Sequence, residues 1–371
     1  MKKKLIVPIA LLLAMLLCMP AMAATVCKIG SKGYSKLQDA VNAVKDGQTI
    51  VLTKAIKTSE MVCIESPDTA ITRFTIDFKN KKYTYSGYDY AFLLGGTKRT
   101  ITFKNINFKV TKGVMISGMG RQNLNTLVIE NGTYVGGPIS ITEGEPGKDG
   151  GLLIKDGKFT HKGSVDYWLT NRGQVEILNG TFNGCTVENF GECILSGGKW
   201  SFSGFREYTY FLNHRGGRMT VSGGTYTGTK NMFFQEAEAE TTIKGGTINT
   251  PGLVGMRGKY TITGGTFNCW LTCREGEMTI SGGTCTGVIN VADGGKITIN
   301  NMTVKTKIKY DWVSPDYFVC LNADGNGSIN INGGSFTAKG GYGYKKGADA
   351  TITFGVSNPA SLFKVKKLEL K

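Results

Sequence analysis

The stretch TVSGGTYTG, residues 220–228, is one copy of a short motif that recurs along most of the chain. Residues 128–136 (VIENGTYVG), 261–269 (TITGGTFNC) and 279–287 (TISGGTCTG) are close variants of it. Aligning each copy on the apolar residue before the turn gives twelve anchors: Phe78, Phe103, Ile129, Ile154, Ile177, Leu195, Val221, Ile243, Ile262, Ile280, Ile299 and Ile331. The anchors lie 18 to 32 residues apart, 23 on average, and recurrence on this scale is typical of a solenoid.

The residues around each anchor alternate as they do in a strand with one buried face. The residue two positions earlier is apolar or aromatic in eleven copies, and the residue five positions later is so in all twelve. The second residue after the anchor is always Gly, Asn or Asp, types that tolerate a positive φ, and Gly follows it in nine copies. A third apolar run, such as YFLN at residues 210–213, precedes each copy. Each period therefore predicts three short strands and three turns.

Three strands in about 23 residues predict an all-β fold, a parallel β-helix with coils stacked roughly 4.8 Å apart. The twelve copies and an earlier coil beginning at QTIVLT, residues 48–53, give about 13 coils. Residues 33–47, GYSKLQDAVNAVKDG, predict a short N-terminal capping helix with Tyr34, Leu37, Val41 and Val44 on one face and Gly47 at its C-terminus. We predict a signal peptide at 1–23, a cap at 24–48 and a single β-helix domain at 49–371, which includes a closing C-terminal segment.

The amphipathic helix followed by DGQTIVL (residues 46–52), and the Asn/Gly-rich bend in every coil, resemble the right-handed parallel β-helix, or pectin-lyase-like, superfamily. The resemblance covers about residues 34–354 and implies a right-handed solenoid. It also implies that an enzyme of this kind would bind substrate along the outside of its first sheet and the flanking loops. The superfamily includes lyases, hydrolases, epimerases and adhesins, so the fold alone does not define an activity. The catalytic motifs of polygalacturonases and of pectate lyases are absent from the sequence.

The N-terminus has the pattern of a bacterial secretory signal peptide. Three lysines precede an apolar run at residues 5–18, and Ala21-Met22-Ala23 is a small-residue cleavage site. No second apolar run is long enough to span a bilayer. We therefore expect a secreted protein without a membrane span.

The composition is basic: 44 Lys and Arg against 28 Asp and Glu give a net charge of +16. A positive surface favours polyanionic partners, and an acidic polysaccharide is the partner that we expect outside the cell. No helix-turn-helix, RNP-like or zinc-finger pattern occurs, so nucleic acid is not predicted as a partner. The alternative is a solvated basic surface without a specific partner, and the sequence does not indicate an oligomeric state.

Eight cysteines follow the predicted signal peptide: Cys27, Cys63, Cys185, Cys193, Cys269, Cys273, Cys285 and Cys320. An even number in a secreted chain allows disulfides, with Cys27–Cys63 and Cys185–Cys193 as the plausible pairs. Several cysteines occupy apolar repeat positions, so buried thiols are the alternative. Cys269-x3-Cys273 has half the ligands of a zinc site, but neither histidine is near it in sequence. We predict no metal site and no cofactor.

Charged residues follow the third apolar run of several coils and are the candidates for chemistry. The predicted catalytic residues are His214, Arg215, Arg257, Arg274 and Glu275, and Arg172 is a predicted ligand for a carboxylate. With coils about 4.8 Å apart, such residues converge on one sugar chain. The charges alternate in sign along the stack, however, and this pattern favours the alternative of ion pairs between coils.

Aromatic rings that stack on sugars form a second candidate set: Trp168, Trp270, Tyr310 and Trp312. Tyr310 and Trp312 lie in the longest interval between anchors, and an insertion in a solenoid forms a loop on one face, often the binding face. The alternative is that these rings pack against the coils. The sequence thus supports three hypotheses: a protein that binds acidic polysaccharide without clear catalytic motifs, a polysaccharide lyase or glycoside hydrolase, and an adhesive or structural spacer.

Overall fold

The computed structural model describes residues 24–65, 70–96, 98–118, 125–141, 150–162, 167–202, 209–229, 231–255, 257–307 and 318–370. The predicted signal peptide and the predicted ligand-binding residues Tyr310 and Trp312 lie outside these ranges. Within them, the α-helix Leu37–Ala43 and the 3-10 helix Pro359–Leu362 accompany a long series of short strands.

The chain visits three faces in turn, which we name sheets A, B and C. Sheet A contains Lys32–Tyr34, Cys27–Ile29, Thr49–Leu52, Arg73–Asp77, Thr100–Lys104, Thr126–Ile129, Gly151–Ile154, Gln174–Ile177, Glu192–Leu195, Arg218–Val221, Glu240–Ile243, Lys259–Ile262, Glu277–Ile280, Lys296–Ile299, Ser328–Ile331 and Thr351–Phe354. Sheet B contains Ile56–Thr58, Tyr83–Tyr85, Ile106–Val110, Gly132–Gly136, Lys158–His161, Thr181–Asn183, Lys199–Phe202, Thr225–Gly228, Thr247–Asn249, Thr266–Phe267, Thr284–Cys285, Thr303–Lys305, Ser335–Lys346 and Phe363–Leu370. Sheet C contains Val62–Ile64, Tyr90–Leu94, Val114–Gly118, Ile139–Ile141, Leu169–Asn171, Val187–Asn189, Thr209–Asn213, Asn231–Gln235, Gly252–Gly255, Trp270–Arg274, Ile289–Ala292 and Val319–Ala323.

Every strand pair is parallel except those of the hairpin Cys27–Ile29 and Lys32–Tyr34, which joins sheet A through an antiparallel pairing with Thr49–Leu52. Fourteen sheet A strands therefore stack in parallel. The strand Ser335–Lys346 pairs first with sheet B and then with sheet C, so it continues around the corner between them. The predicted all-β parallel β-helix, with three strands in each coil, is confirmed.

The interior consists of columns of apolar side chains that continue from coil to coil. All twelve anchors are completely buried, and the residues two positions before and five positions after them are at most 2% exposed. In sheet B, Phe159, Phe182, Trp200 and Tyr226 are register neighbours whose ring centroids lie 5.2, 4.0 and 5.9 Å apart. Burying each large side chain contributes roughly 1.5–3 kcal/mol, so these columns are the main source of stability.

The alignment of the first copy is wrong by two residues. Phe103 pairs in register with Ile76 rather than with the predicted anchor Phe78, whereas Phe108 pairs with Tyr83 as expected. The bend of this coil therefore contains two additional residues, with positive φ at Lys79 and Asn80. Phe78 is nevertheless completely buried, because the longer bend still turns its ring inward.

The bend after sheet A also differs from the prediction. In nine copies a positive φ falls on the third residue after the anchor, such as Gly224 with φ 93°, and not on the second residue, such as Gly223. The copies anchored on Phe78 and Phe103 keep a positive φ at the second residue, Asn80 and Asn105. Glycine is required at the second residue after the anchor, Gly223 in this copy, for another reason. A Cβ atom on Gly223 would lie 2.5 Å from the carbonyl oxygen of Ser196 in the preceding coil. In this copy Gly224 is thus required for the backbone conformation of the bend, and Gly223 is required for the close stacking of the coils.

Replacing Gly224 with alanine is expected to lower the free energy of unfolding by about 2 kcal/mol, because the new Cβ strains a backbone with positive φ. That atom would also lie 3.0 Å from the carbonyl oxygens of Gly197 and Gly198. Urea denaturation of Gly224→Ala measures the loss. Ser222→Ala, at an exposed position of the same bend, is the matched control and is expected to stay within about 0.5 kcal/mol of the original protein. Equal midpoints for both variants would contradict this description of the bend.

The capping helix is present but shorter than predicted. It ends at Ala43, Val44 is extended, and Tyr34 belongs to the preceding hairpin. Gly47 therefore does not terminate the helix; its positive φ serves the turn into sheet A, where its N–H donates to the carbonyl of Arg73. At the far end, Thr351–Phe354 and Phe363–Leu370 continue sheets A and B, so the closing segment is itself a further coil.

The eight cysteines are free thiols, and neither of the two plausible pairs, Cys27–Cys63 and Cys185–Cys193, is a disulfide. Seven of the eight are buried, with Cys193 and Cys285 in the inward columns of sheets A and B. Burial raises the pKa of the Cys193 thiol to about 12, which keeps it protonated and unreactive. The alternative interpretation of the cysteines as small apolar core residues agrees with the structure.

Candidate functional site

Four successive sheet C strands end in a buried amide that fixes the turn toward sheet A. Asn171, Asn189, Asn213 and Gln235 are register neighbours and are completely buried. The Nδ2 of Asn171 donates to Oδ1 of Asn189 at 2.7 Å, and the Nδ2 of Asn189 donates to Oδ1 of Asn213 at 2.8 Å. The amide groups also donate to backbone carbonyls of the turns, which holds the next residue of each coil in an equivalent outward position.

These outward positions bring together Arg172, Phe190, His214 and Glu236. The His214 ring stacks on Phe190 with centroids 3.9 Å apart, and the Arg172 guanidinium lies 4.6 Å from the centroid of the Phe190 ring. The Nε2 of His214 lies 3.0 Å from Oε1 of Glu188, and Nδ1 lies 3.3 Å from Oε1 of Glu236. Both ring nitrogens of His214 are therefore engaged by carboxylates on the two neighbouring coils.

The predicted catalytic arginines form ion pairs with the following coil. Arg215 makes a bidentate pair with Glu238, Arg257 lies 2.9 Å from Glu275, and Arg274 lies 3.4 Å from Asp293. The pKa of the Glu238 carboxyl lies below its usual range, mainly because the Arg215 side chain donates hydrogen bonds to it. A hydrogen bond from the backbone N–H of Arg215 lowers the pKa of Glu236 in the same way.

The turns between sheets C and A thus show the alternative arrangement, a ladder of ion pairs between coils. Arg215, Arg257, Arg274 and Glu275 take part in it, and His214 lies between carboxylates of the two neighbouring coils. A bound polyanion would have to replace an existing carboxylate partner at Arg215, Arg257 and Arg274. The catalytic role of these five residues stays a prediction.

The predicted sugar-stacking residues separate into different environments. Trp168 is completely buried, with its ring 5.6 Å from Phe159 and 5.7 Å from Phe182, so its predicted role in ligand binding is wrong. The stretch of apolar residues around it forms core rather than surface. Trp270 is partly buried and lies over the Cα of Gly252, its register neighbour in sheet C.

Replacing Gly252 with alanine is expected to displace the Trp270 ring, because the new Cβ would lie 1.4 Å from its Nε1. Overpacking of this kind costs about 2 kcal/mol in the free energy of unfolding. The tryptophan emission should shift to longer wavelength as the ring is pushed outward. In a protein that already carries Trp270→Phe, replacing Gly252 with alanine should leave the emission maximum unchanged. A shift that persists without Trp270 would contradict the proposed packing.

The outer face of sheet A carries a second paired column. Six residues with strictly alternating charge are neighbours in register: Glu192, Arg218, Glu240, Lys259, Glu277 and Lys296. Arg218 lies 3.7 Å from Glu240, and Lys296 lies 3.7 Å from Glu277. Each charge has opposite charges next to it in register, so this face presents little net potential to a charged ligand.

The outer face of sheet B is different, since it is positive and its described outward positions hold no acid from Ile56–Thr58 through Thr303–Lys305. Glu369 lies near the end of the last strand, beside Tyr344. Its outward positions include six exposed lysines, which we name the basic face: Lys57, Lys109, Lys158, Lys199, Lys305 and Lys364. None of the six lies within ion-pair distance of a carboxylate in the ranges that the structure covers. Their charges are therefore available to a ligand.

The remaining outward positions of sheet B are mostly hydroxyls and amides. Five threonines form one uninterrupted column: Thr225, Thr247, Thr266, Thr284 and Thr303. Beside it, the Nδ2 of Asn268 donates to Oδ1 of Asn249 at 2.7 Å, and the Thr286 hydroxyl donates to Oδ1 of Asn268 at 3.3 Å. Rows of donors and acceptors on a regular sheet match the hydroxyl groups of a sugar chain.

The basic face was missed by the sequence predictions, although the repeat contains a signal for it. The fourth and sixth residues after the twelve anchors include no Asp or Glu. These are the positions that point outward from sheet B in eleven of the copies, from the one anchored on Phe103 onward. By contrast, the outward positions of sheet A include Glu176, Glu192, Glu240 and Glu277.

Comparisons with protein-family models, with curated proteins and with solved structures found no match for this chain. Among the residues that the structure describes, no helix is long and apolar enough to cross a membrane. The same residues include no group of three or more His, Cys, Asp or Glu arranged to hold a metal ion. The function is therefore inferred from the charge and geometry of the surfaces.

Proposed function

We propose that this chain is a secreted, pectin-lyase-like β-helix protein that binds an acidic polysaccharide along the outer face of sheet B. The observation that carries the proposal is the basic face, whose six exposed lysines have no carboxylate partner among the residues that the structure describes. On the outer face of sheet A and in the turns between sheets C and A, Arg218, Lys296, Arg215, Arg257 and Arg274 lie within 4 Å of a carboxylate, and Arg172 lies over the Phe190 ring. The binding surface is thus assigned to sheet B and not to the turns predicted from sequence.

Each contact on the basic face is weak alone. An exposed lysine and a carboxylate in water contribute about 0.2–1 kcal/mol, and salt screens the interaction. A polymer that reaches several lysines at once gains from their combined effect, because the first contact raises the effective concentration of the next anionic group. Affinity should therefore rise with polymer length and fall steeply with salt.

Secretion is part of the proposal and rests on the signal-peptide pattern of residues 1–23. Outside the cell, uronic-acid polysaccharides and charged wall polymers are abundant polyanions. The pectin-lyase-like assignment rests on the capping helix and on the repeated bend, which the structure places in a parallel β-helix.

Affinity electrophoresis of the chain from Ala24 to Lys371 tests the proposal. Gels that contain polymannuronate or hyaluronate should retard the protein at low salt, whereas gels that contain dextran should not. Retardation should disappear at about 0.5 M salt, where the screening length is only a few ångströms. Migration unchanged by every acidic polymer at low salt would overturn the proposal and favour the structural spacer.

Polysaccharide cleavage is a second candidate function, favoured by the position of His214 between Glu188 and Glu236. A histidine held by carboxylates beside an arginine resembles the arrangement of a general base. New unsaturated ends, detected by ultraviolet absorbance, would support a lyase, and new reducing ends would support a hydrolase. Loss of either product in His214→Ala, with polymer binding unchanged, would assign the activity to this turn. Incubation without either product would leave binding as the function.

A further inference from the structure

The lysines of the basic face follow a period of two coils from the third strand of sheet B to the seventh. Counted from the cap, the first, third, fifth and seventh strands of sheet B carry Lys57, Lys109, Lys158 and Lys199. The fourth and sixth strands carry only uncharged outward residues, Thr133, Val135, Thr181 and Asn183. The second strand carries outward Thr84, but exposed Lys82 directly precedes it. Because neighbouring strands lie about 4.8 Å apart, the positive charges recur about every 9.6 Å along the solenoid axis. Lys57 and Lys109 share one register column, and Lys158 and Lys199 share the column two residues earlier.

The corner after sheet B repeats this period. Exposed Lys112 follows the third strand and exposed Lys162 follows the fifth, whereas no lysine directly follows the second, fourth or sixth strand. The Nζ of Lys112 donates to the hydroxyl of Tyr88 at 2.9 Å, which holds this cation beside the face. Two lysines therefore mark each of these odd-numbered coils, and the period does not depend on a single column.

Building on the proposed function, we infer that the ligand is a linear acidic polysaccharide that lies along the solenoid axis and presents one anionic group to sheet B for every two sugar units. A pyranose unit in an extended chain spans about the rise of one coil, so alternate units meet alternate strands. The strands without lysines offer hydroxyls and an amide to the sugar that presents no charge. A nucleic acid strand does not fit this period, since its phosphates recur about every 3.4 Å of helix axis.

Two kinds of polymer present anions in this way. In an alternating copolymer such as hyaluronate, only every second sugar is a uronate. In a twofold ribbon of one uronate, such as polymannuronate, successive carboxylates point to opposite sides. If only hyaluronate binds, the ligand is an alternating copolymer. If polymannuronate binds, alone or together with hyaluronate, a twofold ribbon of one uronate is sufficient for binding. Binding of neither would overturn the inference.

A variant that changes the period and keeps the charge tests the inference directly. Lys109→Thr with Val135→Lys, and Lys158→Thr with Thr181→Lys, move two lysines by one coil along their columns. The positive strands then become the first, fourth, sixth and seventh. We expect affinity for the polysaccharide that binds to fall about tenfold, with no change for poly-L-glutamate, a flexible polyanion without a sugar period. Unchanged affinity for the polysaccharide would overturn the inference.

Two further measurements keep the outcome clear. The variant with shifted lysines carries four substitutions. If it does not fold, as judged by circular dichroism, the variant with only Lys158→Thr and Thr181→Lys should still reduce affinity about threefold. A variant with Lys57, Lys109, Lys158 and Lys199 all replaced by threonine tests the proposed function instead. If that variant loses binding while the shifted variant keeps it, the basic face is the binding site and the period is irrelevant. If both variants bind as the original protein does, the proposed function itself fails.

Discussion

Replacement of Lys57, Lys109, Lys158 and Lys199 together by threonine is expected to weaken binding of polymannuronate about 100-fold at low salt. Four exposed contacts of about 0.7 kcal/mol each sum to a little under 3 kcal/mol, which is a factor of about 100 in affinity. Threonine is chosen because it already occupies neighbouring outward positions of the sheet and suits a strand. Isothermal titration or biosensor measurements at several salt concentrations report the affinity and its salt dependence.

The control removes the same number of charges from the other side of the solenoid. Lys104, Lys155, Lys259 and Lys296 lie on sheet A or its bend, and three of them contact Glu130 or Glu277 within 4 Å. Replacing these four by threonine lowers the net charge equally, and it should reduce affinity only a few-fold through the long-range field. Equal losses in both variants would show that net charge alone, and not the basic face, determines binding.

Replacement of Asn189 by alanine is expected to lower the free energy of unfolding by about 3–5 kcal/mol. Its amide accepts from Asn171 and donates to Asn213 and to the carbonyls of Gly191 and Arg218, all within the buried ladder. Truncation leaves several buried polar groups without a partner, and each costs roughly 1–3 kcal/mol. Urea denaturation followed by circular dichroism measures the loss.

An exposed asparagine ladder provides the matched control. Asn300 accepts from Asn332 at 2.9 Å and donates to the Ser281 hydroxyl at 3.3 Å, but water reaches all three side chains. Asn300→Ala should therefore cost less than about 1 kcal/mol. Similar losses for the two variants would contradict the assignment of the buried ladder as the element that fixes the turns.

The inward columns were predictable because each strand has a period of two and a buried face. Val221 and Tyr226 in residues 220–228 could be assigned to the core from their spacing alone, and both are completely buried. The exact bend could not be predicted. Consecutive glycines allow a positive φ at either position, and only the approach of Gly223 to the preceding coil distinguishes their roles. The two additional bend residues near Phe78 likewise leave its burial unchanged.

The roles of surface residues could not be predicted from the sequence in the same way, because they depend on neighbours one coil away. The sequence predicts Arg215 as a catalytic residue, and its ion pair with Glu238 is visible only in the structure, because Glu238 lies on the next coil. The sequence did not predict a role for Lys158, because only the strand register places it two strands from Lys109 and two strands from Lys199. Trp168 was misassigned because an apolar strand run does not show which of its rings turn inward.

Lysine footprinting of the protein with and without bound polysaccharide tests the central claim most directly. Acylation of Lys57, Lys109, Lys158 and Lys199, quantified by mass spectrometry, should slow at least severalfold when polymannuronate or hyaluronate is bound. Exposed Lys259 and Lys296 on sheet A should react at the same rate in both samples. Protection of the sheet A lysines, with the basic face still fully reactive, would contradict the assignment of sheet B as the binding surface.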